Sequence, residues 1–333
     1  MAHEFDEFHT ELKSVAGDLL AKDRTVEWTV LAEAGWTGLE VPDELGGAGA
    51  TFGEAAIICE EIGRAASATG YLGGAVLGVG VLTSLQRSDS RDEMLDGVAD
   101  GSVRPAVVLE GFSLDNGRLT GHAEFVPDAE GADRILVVAD DAVIDAVGAT
   151  VTAQPVLDET RRLATVTAKG LAVKESAVLH FAGDPHAQVR RLRERAAVAV
   201  ACDSLGLSEA MLAATVAYVK VRHQFGRPIG SFQAVKHACA DMQVTIAVSR
   251  QLVSAAVEAV ADDRPEAGVA TSMAKSYTCS AAVDIAGKAM QLHGGIGYTW
   301  ESGIHVYLKR AALNRSLFGS PAAHRKELAQ RYL

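Results

Sequence analysis

Arg222-His223-Gln224-Phe225-Gly226-Arg227-Pro228-Ile229-Gly230-Ser231-Phe232-Gln233 is the stretch on which the reading of this chain turns. Two glycines and a proline exclude a continuous helix through it. Long apolar, alanine-rich runs flank it, Ala196 to Val221 and Ala234 to Val260, so it reads as a loop between two helices. Arg222 and Arg227 offer planar, forked donors that match phosphate oxygens. Gln233 adds an amide at the start of the next helix, where free backbone N–H groups also favour an anion. Phe225 adds an apolar face. Arg, Gln and Phe in one loop suit a nucleotide cofactor. On residue types alone, a solvated turn with two surface arginines is an equal alternative.

Further along stands Gln291-Leu292-His293-Gly294-Gly295-Ile296-Gly297-Tyr298. It ends another long apolar run, Pro265 to Leu292. A helix C-cap needs one glycine, and this turn has three in four positions. Such a segment lets backbone approach a ligand closely, and Gln291 can donate to a pyrophosphate oxygen. A helix precedes these glycines where a dinucleotide fingerprint needs a strand, so a Rossmann reading fails.

Around these loops the pattern divides the chain in three. Residues 1–102 read as helical, beginning with apolar positions at Phe5, Phe8, Leu12, Val15 and Leu19. Further helices are expected over Thr25 to Ala34, Phe52 to Arg64, Thr69 to Leu85 and Arg91 to Val98, with a loop at Leu39 to Gly49. Residues 103–186 carry short β-rich runs: Arg104 to Leu109, Arg118 to Phe125, Arg134 to Val138, Val151 to Val156, Ala164 to Thr167 and Ala177 to Phe181. A small antiparallel barrel or sandwich is expected there. Residues 187–333 return to long helices that suit a four-helix bundle, with a final helix from Ser302 to Leu317. The fold class is α+β multidomain.

The formal charge is −12, and the chain lacks the basic stripe of a nucleic-acid binder. An acidic surface also disfavours anionic membranes. The run Gly70 to Leu85 is short and glycine-rich, which favours a buried helix over a membrane span. Cys59, Cys202, Cys239 and Cys279 are far apart in apolar surroundings and read as four buried thiols, without a metal site. An acidic N-terminus without an apolar signal core points to the cytoplasm.

The two glycine-bearing motifs together resemble the acyl-CoA dehydrogenase family. The resemblance extends through Gly35-Trp36-Thr37-Gly38-Leu39-Glu40-Val41-Pro42 and the glycines after it, then Glu60-Glu61-Ile62-Gly63-Arg64. Leu119-Thr120-Gly121 through Gly131-Ala132-Asp133 resembles the family's middle β-domain. Nearly the whole chain is covered, in the order α-domain, β-domain, α-domain. The resemblance implies FAD at a subunit interface. It also implies that Arg222, Phe225, Gln233, Gln291 and Gly295 reach the neighbour's pyrophosphate and adenine end.

Other parts depart from the family. Its members abstract an α-proton from an acyl-CoA with a glutamate that stands after the final helix. Here Phe318, in Ser316-Leu317-Phe318-Gly319-Ser320-Pro321, holds that position and cannot accept a proton. The alternative location, counted back from Arg222, falls on Ala196 and Ala197. Glu194 comes two residues early, a rotation of about 200° on a helix, and is a weak candidate. No catalytic residue is therefore assigned to this chain. The family's Thr-Glu-Pro-x-x-Gly-Ser-Asp loop, which holds the flavin ring, is missing. Val107 to Leu114 runs almost directly into Asp115-Asn116-Gly117.

These losses, with the interface residues kept, imply one subunit of an α2β2 acyl-CoA dehydrogenase, inactive alone. A longer family member would supply the base, the flavin-ring loop and most of the acyl-CoA site. Paired enzymes of this kind occur in actinobacterial steroid side-chain β-oxidation, which makes a steroid-CoA thioester the expected substrate. An electron-transfer flavoprotein is the family's expected electron acceptor. A homomeric flavoenzyme with an unusual base and a cofactor-free scaffold are the alternatives.

Overall fold

Helix-forming residues without interruption build very long helices in the C-terminal half of this computed structural model, which describes residues 2–330, with side chains from residue 8 onward. Phe5 lies outside the described side chains. The chain gathers into two compact units, each assembled from separate segments. One comprises Met1–Arg24, Ala56–Ser67 and Ala197–Leu333, and the other Thr25–Ala55 and Ala68–Ala196.

The N-terminal helices are α1 (Ala2–Leu20), α2 (Trp28–Glu33) and α3 (Phe52–Ala65). Helix α2 is shorter than expected from Thr25 to Ala34. Thr25 instead bridges Ala68, and the Val26 N–H donates to the Ala68 carbonyl at 2.9 Å. Between Pro42 and Gly49 the chain turns through a short 3-10 segment, Asp43–Leu45, ended by Gly46 at φ 76°. The expected helix over Thr69 to Leu85 is wound as a π-helix at Leu72–Val79, wholly buried, before α4 (Gly80–Thr83). Helix α5 (Asp89–Ala99) starts at Ser88, whose hydroxyl accepts from the Arg91 N–H.

Seven strands follow: β1 (Pro105–Asp115), β2 (Arg118–Pro127), β3 (Arg134–Ala139), β4 (Ala142–Asp145), β5 (Thr150–Gln154), β6 (Leu163–Ala172) and β7 (Val178–His180). They form one mixed sheet in the order β5-β6-β2-β1-β3-β4-β7, which corrects the expected antiparallel barrel or sandwich. The departure lies in β1. Its first half pairs in parallel with β3, Ala106 opposite Ile135. Its second half pairs antiparallel with β2, Ser113 opposite Thr120. The two halves meet at Gly111, whose φ of 89° and shifted register mark a bulge. Alternating apolar residues such as Val108, Leu119, Val137, Ile144 and Val166 make the core on one face of the sheet.

The long helices are α6 (Pro185–Val221), α7 (Gln233–Ala261), α8 (Ala267–His293) and α9 (Ile304–Ser316), with a further α10 (Pro321–Gln330). Helix α8 packs against α7, α9 and α10. It joins α6 through Cys279, whose Sγ lies 3.4 Å from the Ser204 hydroxyl. Arg310 of α9 is buried and forks onto Asp203 of α6, and Asn314 Nδ2 donates to the same carboxylate at 2.6 Å. Lys275 is fully buried, donating to the carbonyls of Asn314 at 2.9 Å and Gly319 at 3.0 Å. Three of the four thiols are buried as expected. Cys239, on the less covered α7, is only half-buried.

Candidate functional site

The loop after α6 closes as a two-stranded hairpin, β8 (His223–Gln224) and β9 (Arg227–Pro228). Phe225 and Gly226 form its turn with φ of 53° and 77°. Two left-handed residues in succession match the twist of a tight hairpin. A phenylalanine is uncommon in this conformation, and its ring is 89 % exposed, meeting Phe232 edge-on with centroids 6.1 Å apart. Arg227 lies over the Phe232 ring at 4.2 Å. Phe232 then caps α7 in extended conformation, without a side-chain acceptor for the first N–H groups of that helix.

The second motif begins where α8 ends. Gly294 has φ 61° and ψ −143°, a conformation reserved for glycine. Gly297 is required for packing, because a Cβ there would stand 2.6 Å from the Met290 carbonyl oxygen. Gly295 faces open space, with nothing within 4 Å of where its Cβ would be. His293, just before these glycines, is buried, with Nδ1 2.8 Å from the Ala289 carbonyl, and its ring stacks on Tyr218 of α6 at 4.5 Å. That stack joins the ends of α6 and α8, and so brings the two motifs together.

Arg222, Phe225, Gln233, Gln291 and Gly295 are all exposed. Among the described residues, the Arg222, Gln233 and Gln291 side chains make no hydrogen bond or ion pair. Guanidinium and amide donors are thus left unspent beside an uncapped helix start and a glycine with open space. This donor set fits the pyrophosphate end of FAD.

The opposite holds where a flavin ring would be cradled. Strands β1 and β2 are joined by Asn116 and Gly117 alone, both left-handed at φ 48° and 72°. The two-residue turn leaves no chain for a ring-binding loop between these strands.

Phe318 follows α9 in the turn to α10, half-buried and left-handed at φ 52°. Its carbonyl lies 3.0 Å from His324 Nε2, and the next carbonyl accepts from Lys275. The turn is held through its backbone, and it presents no carboxylate. Glu194 reaches Arg190 of its own helix at 4.0 Å, an ordinary i,i+4 pair. The next residue, Arg195, turns inward. Its guanidinium forks onto Glu40, its Nε donates to the Val76 carbonyl of the π-helix at 2.6 Å, and Phe52 lies 4.5 Å beneath it. Sequence reasoning missed Tyr218, Arg195 and Lys275, which act through residues distant in the chain. A lysine at 275 inside a long apolar run was the one available signal.

Family models described as "Acyl-CoA dehydrogenase, N-terminal domain" and "Acyl-CoA dehydrogenase, C-terminal domain" match residues 3–102 and 185–333. The chain is 34% identical over 304 residues to the acyl-CoA dehydrogenase IpdE2 of Mycolicibacterium smegmatis, covering 90% of this chain and 86% of that protein. Among solved structures it is similar to the Tcur3481-Tcur3483 steroid ACAD G363A variant, with a TM-score of 0.86, 27% identity, and 98% and 97% of the two chains covered. The ChsE4-ChsE5 complex of Mycobacterium tuberculosis superposes with a TM-score of 0.87 at 23% identity, over 97% and 96% of the chains, and shares the fold. By sequence match and by architecture, the chain belongs to the acyl-CoA dehydrogenase family.

Proposed function

We propose that this chain is one subunit of an α2β2 acyl-CoA dehydrogenase and completes an FAD site held chiefly by a longer partner of the same family. One contrast carries the reading: unspent, exposed donors at Arg222, Gln233 and Gln291 stand in a chain whose β1 and β2 are closed by a two-residue turn. Arg222, Gln233 and Gln291 bind the pyrophosphate and adenine end, Phe225 covers it, and Gly295 lets it approach. The flavin supplies the hydride acceptor for α,β-dehydrogenation of an acyl-CoA. Phe318 offers no base, so the partner provides the glutamate and most of the acyl site.

A partner is also what α7 calls for. Its most apolar stretch is largely exposed, whereas that of α6 is largely buried. Val244, Ala247 and Val248 lie exposed along it, an apolar face that a second subunit would cover. A steroid-CoA thioester is the proposed substrate, because a steroid enzyme is among the similar structures. An electron-transfer flavoprotein as acceptor and a cytoplasmic location complete the reading.

The test is flavin content. The chain purified alone should be nearly colourless, and co-expression with a longer family member should give a yellow complex with two flavins per tetramer. Arg222→Ala should lower FAD occupancy of that complex. Stoichiometric FAD on the chain alone would favour a homomeric enzyme, and a complex without flavin would favour a scaffold.

A further inference from the structure

A cavity of about 500 Å³ lies away from both glycine motifs, walled by the end of α1, the segment Lys22 to Arg24, α3 and Tyr307 of α9. All of these belong to one compact unit. The volume is within the range of small-molecule sites. Gly17, Leu20, Ala21 and Ala65 give it an apolar floor.

Its far wall is fixed by ion pairs. Arg64 holds Glu61 at 3.0 Å and Glu60 at 3.1 Å, and also pairs with Glu209. Glu60 is paired in addition with Lys13 and Arg250. The Tyr307 hydroxyl donates to the Arg64 carbonyl at 3.1 Å. Lys13, Arg64 and Arg250 balance Glu60, Glu61 and Glu209, so this wall is neutral as a group.

The excess charge lies on the segment Lys22 to Arg24. Lys22 and Arg24 are exposed, and among the described residues neither has an ion-pair partner. Asp23 between them is the single acid of that segment. The lining therefore carries one net positive charge in a chain whose formal charge is −12. The Arg24 guanidinium rests beside Gly303, where a Cβ would approach its Nη2 to 3.5 Å. Burial pushes the Tyr307 hydroxyl pKa up, and the nearby Arg24 charge opposes that only in part.

We propose that this cavity binds a small amphipathic monoanion, an organic carboxylate whose apolar body lies on Leu20, Ala21 and Ala65 and whose head is held by Arg24 and Lys22. The site is independent of the flavin half-site, which uses other residues. A net charge of +1 over an apolar floor selects for charge and for body together.

Calorimetric titration of the full chain with hexanoate tests this, with hexylammonium and inorganic phosphate as comparison probes. Hexanoate should bind in the millimolar range or tighter, and Arg24→Gln should weaken it about tenfold, one lost charge-assisted hydrogen bond. Ala21→Phe, which puts a bulkier side chain on that apolar floor, should also weaken it, and Arg222→Ala should not. Unaltered hexanoate binding in both pocket variants, each checked by its melting curve, would overturn the proposal. So would hexylammonium or phosphate binding as tightly as hexanoate, or no hexanoate binding at all.

Discussion

The rings of Tyr218 and His293 stack with centroids 4.5 Å apart and planes 20° from parallel, tying the last turn of α6 to the last turn of α8. Each helix end opens directly into one of the glycine motifs. The stack contributes about 0.5–1.5 kcal/mol beyond area burial, enough to set where two loops stand relative to each other. Tyr218→Ala should lower flavin retention of the proposed complex several-fold, and Tyr218→Phe should keep it. Flavin absorbance per mole of complex is the measurement. Equal loss in both variants would mean that the hydroxyl, and not the stacked ring, matters.

Gly295 and Gly297 should respond differently to alanine. At Gly297 a Cβ meets the Met290 carbonyl oxygen at 2.6 Å, so Gly297→Ala should lower the melting temperature of the isolated chain. At Gly295 a Cβ meets nothing within 4 Å in this chain. Gly295→Ala should leave that melting temperature unchanged and lower FAD occupancy only in the complex.

Arg310 and Asp203 form a buried ion pair, 1% and 4% exposed, that Asn314 completes. Removing one partner strands the other charge in the interior. Arg310→Ala should therefore destabilise the chain by about 3–5 kcal/mol. Urea unfolding followed by circular dichroism reads this directly, and a loss below about 1 kcal/mol would mean that water reaches Asp203.

Asp128 should give stability a downward slope with pH. Burial raises its carboxyl above the usual carboxylate range, against the pull of the Gly73 N–H, which donates to it at 2.7 Å. The folded state then binds a proton more tightly than the unfolded chain. The associated stability is present below the ordinary carboxylate pKa and is lost as pH rises through the raised value. Asp128→Asn should remove this component, so its stability relative to the parent should improve between acid and neutral pH in urea titrations. A constant difference between the two proteins would count against it.

Much of this was legible in the sequence. Asn116-Gly117 announced its two-residue hairpin, and the helix-length apolar runs announced the bundle, because both signals are local. The loops bearing Arg222 and Gln291 stood out through their glycines. What could not be read was set by distance or by subtle backbone choice. Leu72 to Val79 is apolar and glycine-rich, a pattern that α- and π-winding share. The parallel pairing of β1 with β3 depends on how a chain with an intervening strand folds back. Strand β4 is only four residues long, too short for its alternation to stand out, and follows a turn at Asp140 and Asp141. Pro321 starts α10, a role that proline takes at a first helical position, yet the reading ended at the preceding turn.

The turn at Asn116 and Gly117 has an evolutionary consequence. A lost side chain can return by one substitution, as a glutamate at Phe318 would. A ring-binding loop in place of a two-residue turn can be gained only by insertion, and the inserted segment must arrive already shaped to its ligand. Under the proposed division of labour, dependence on a companion gene works as a ratchet: each copy can drift, but neither can readily become self-sufficient again.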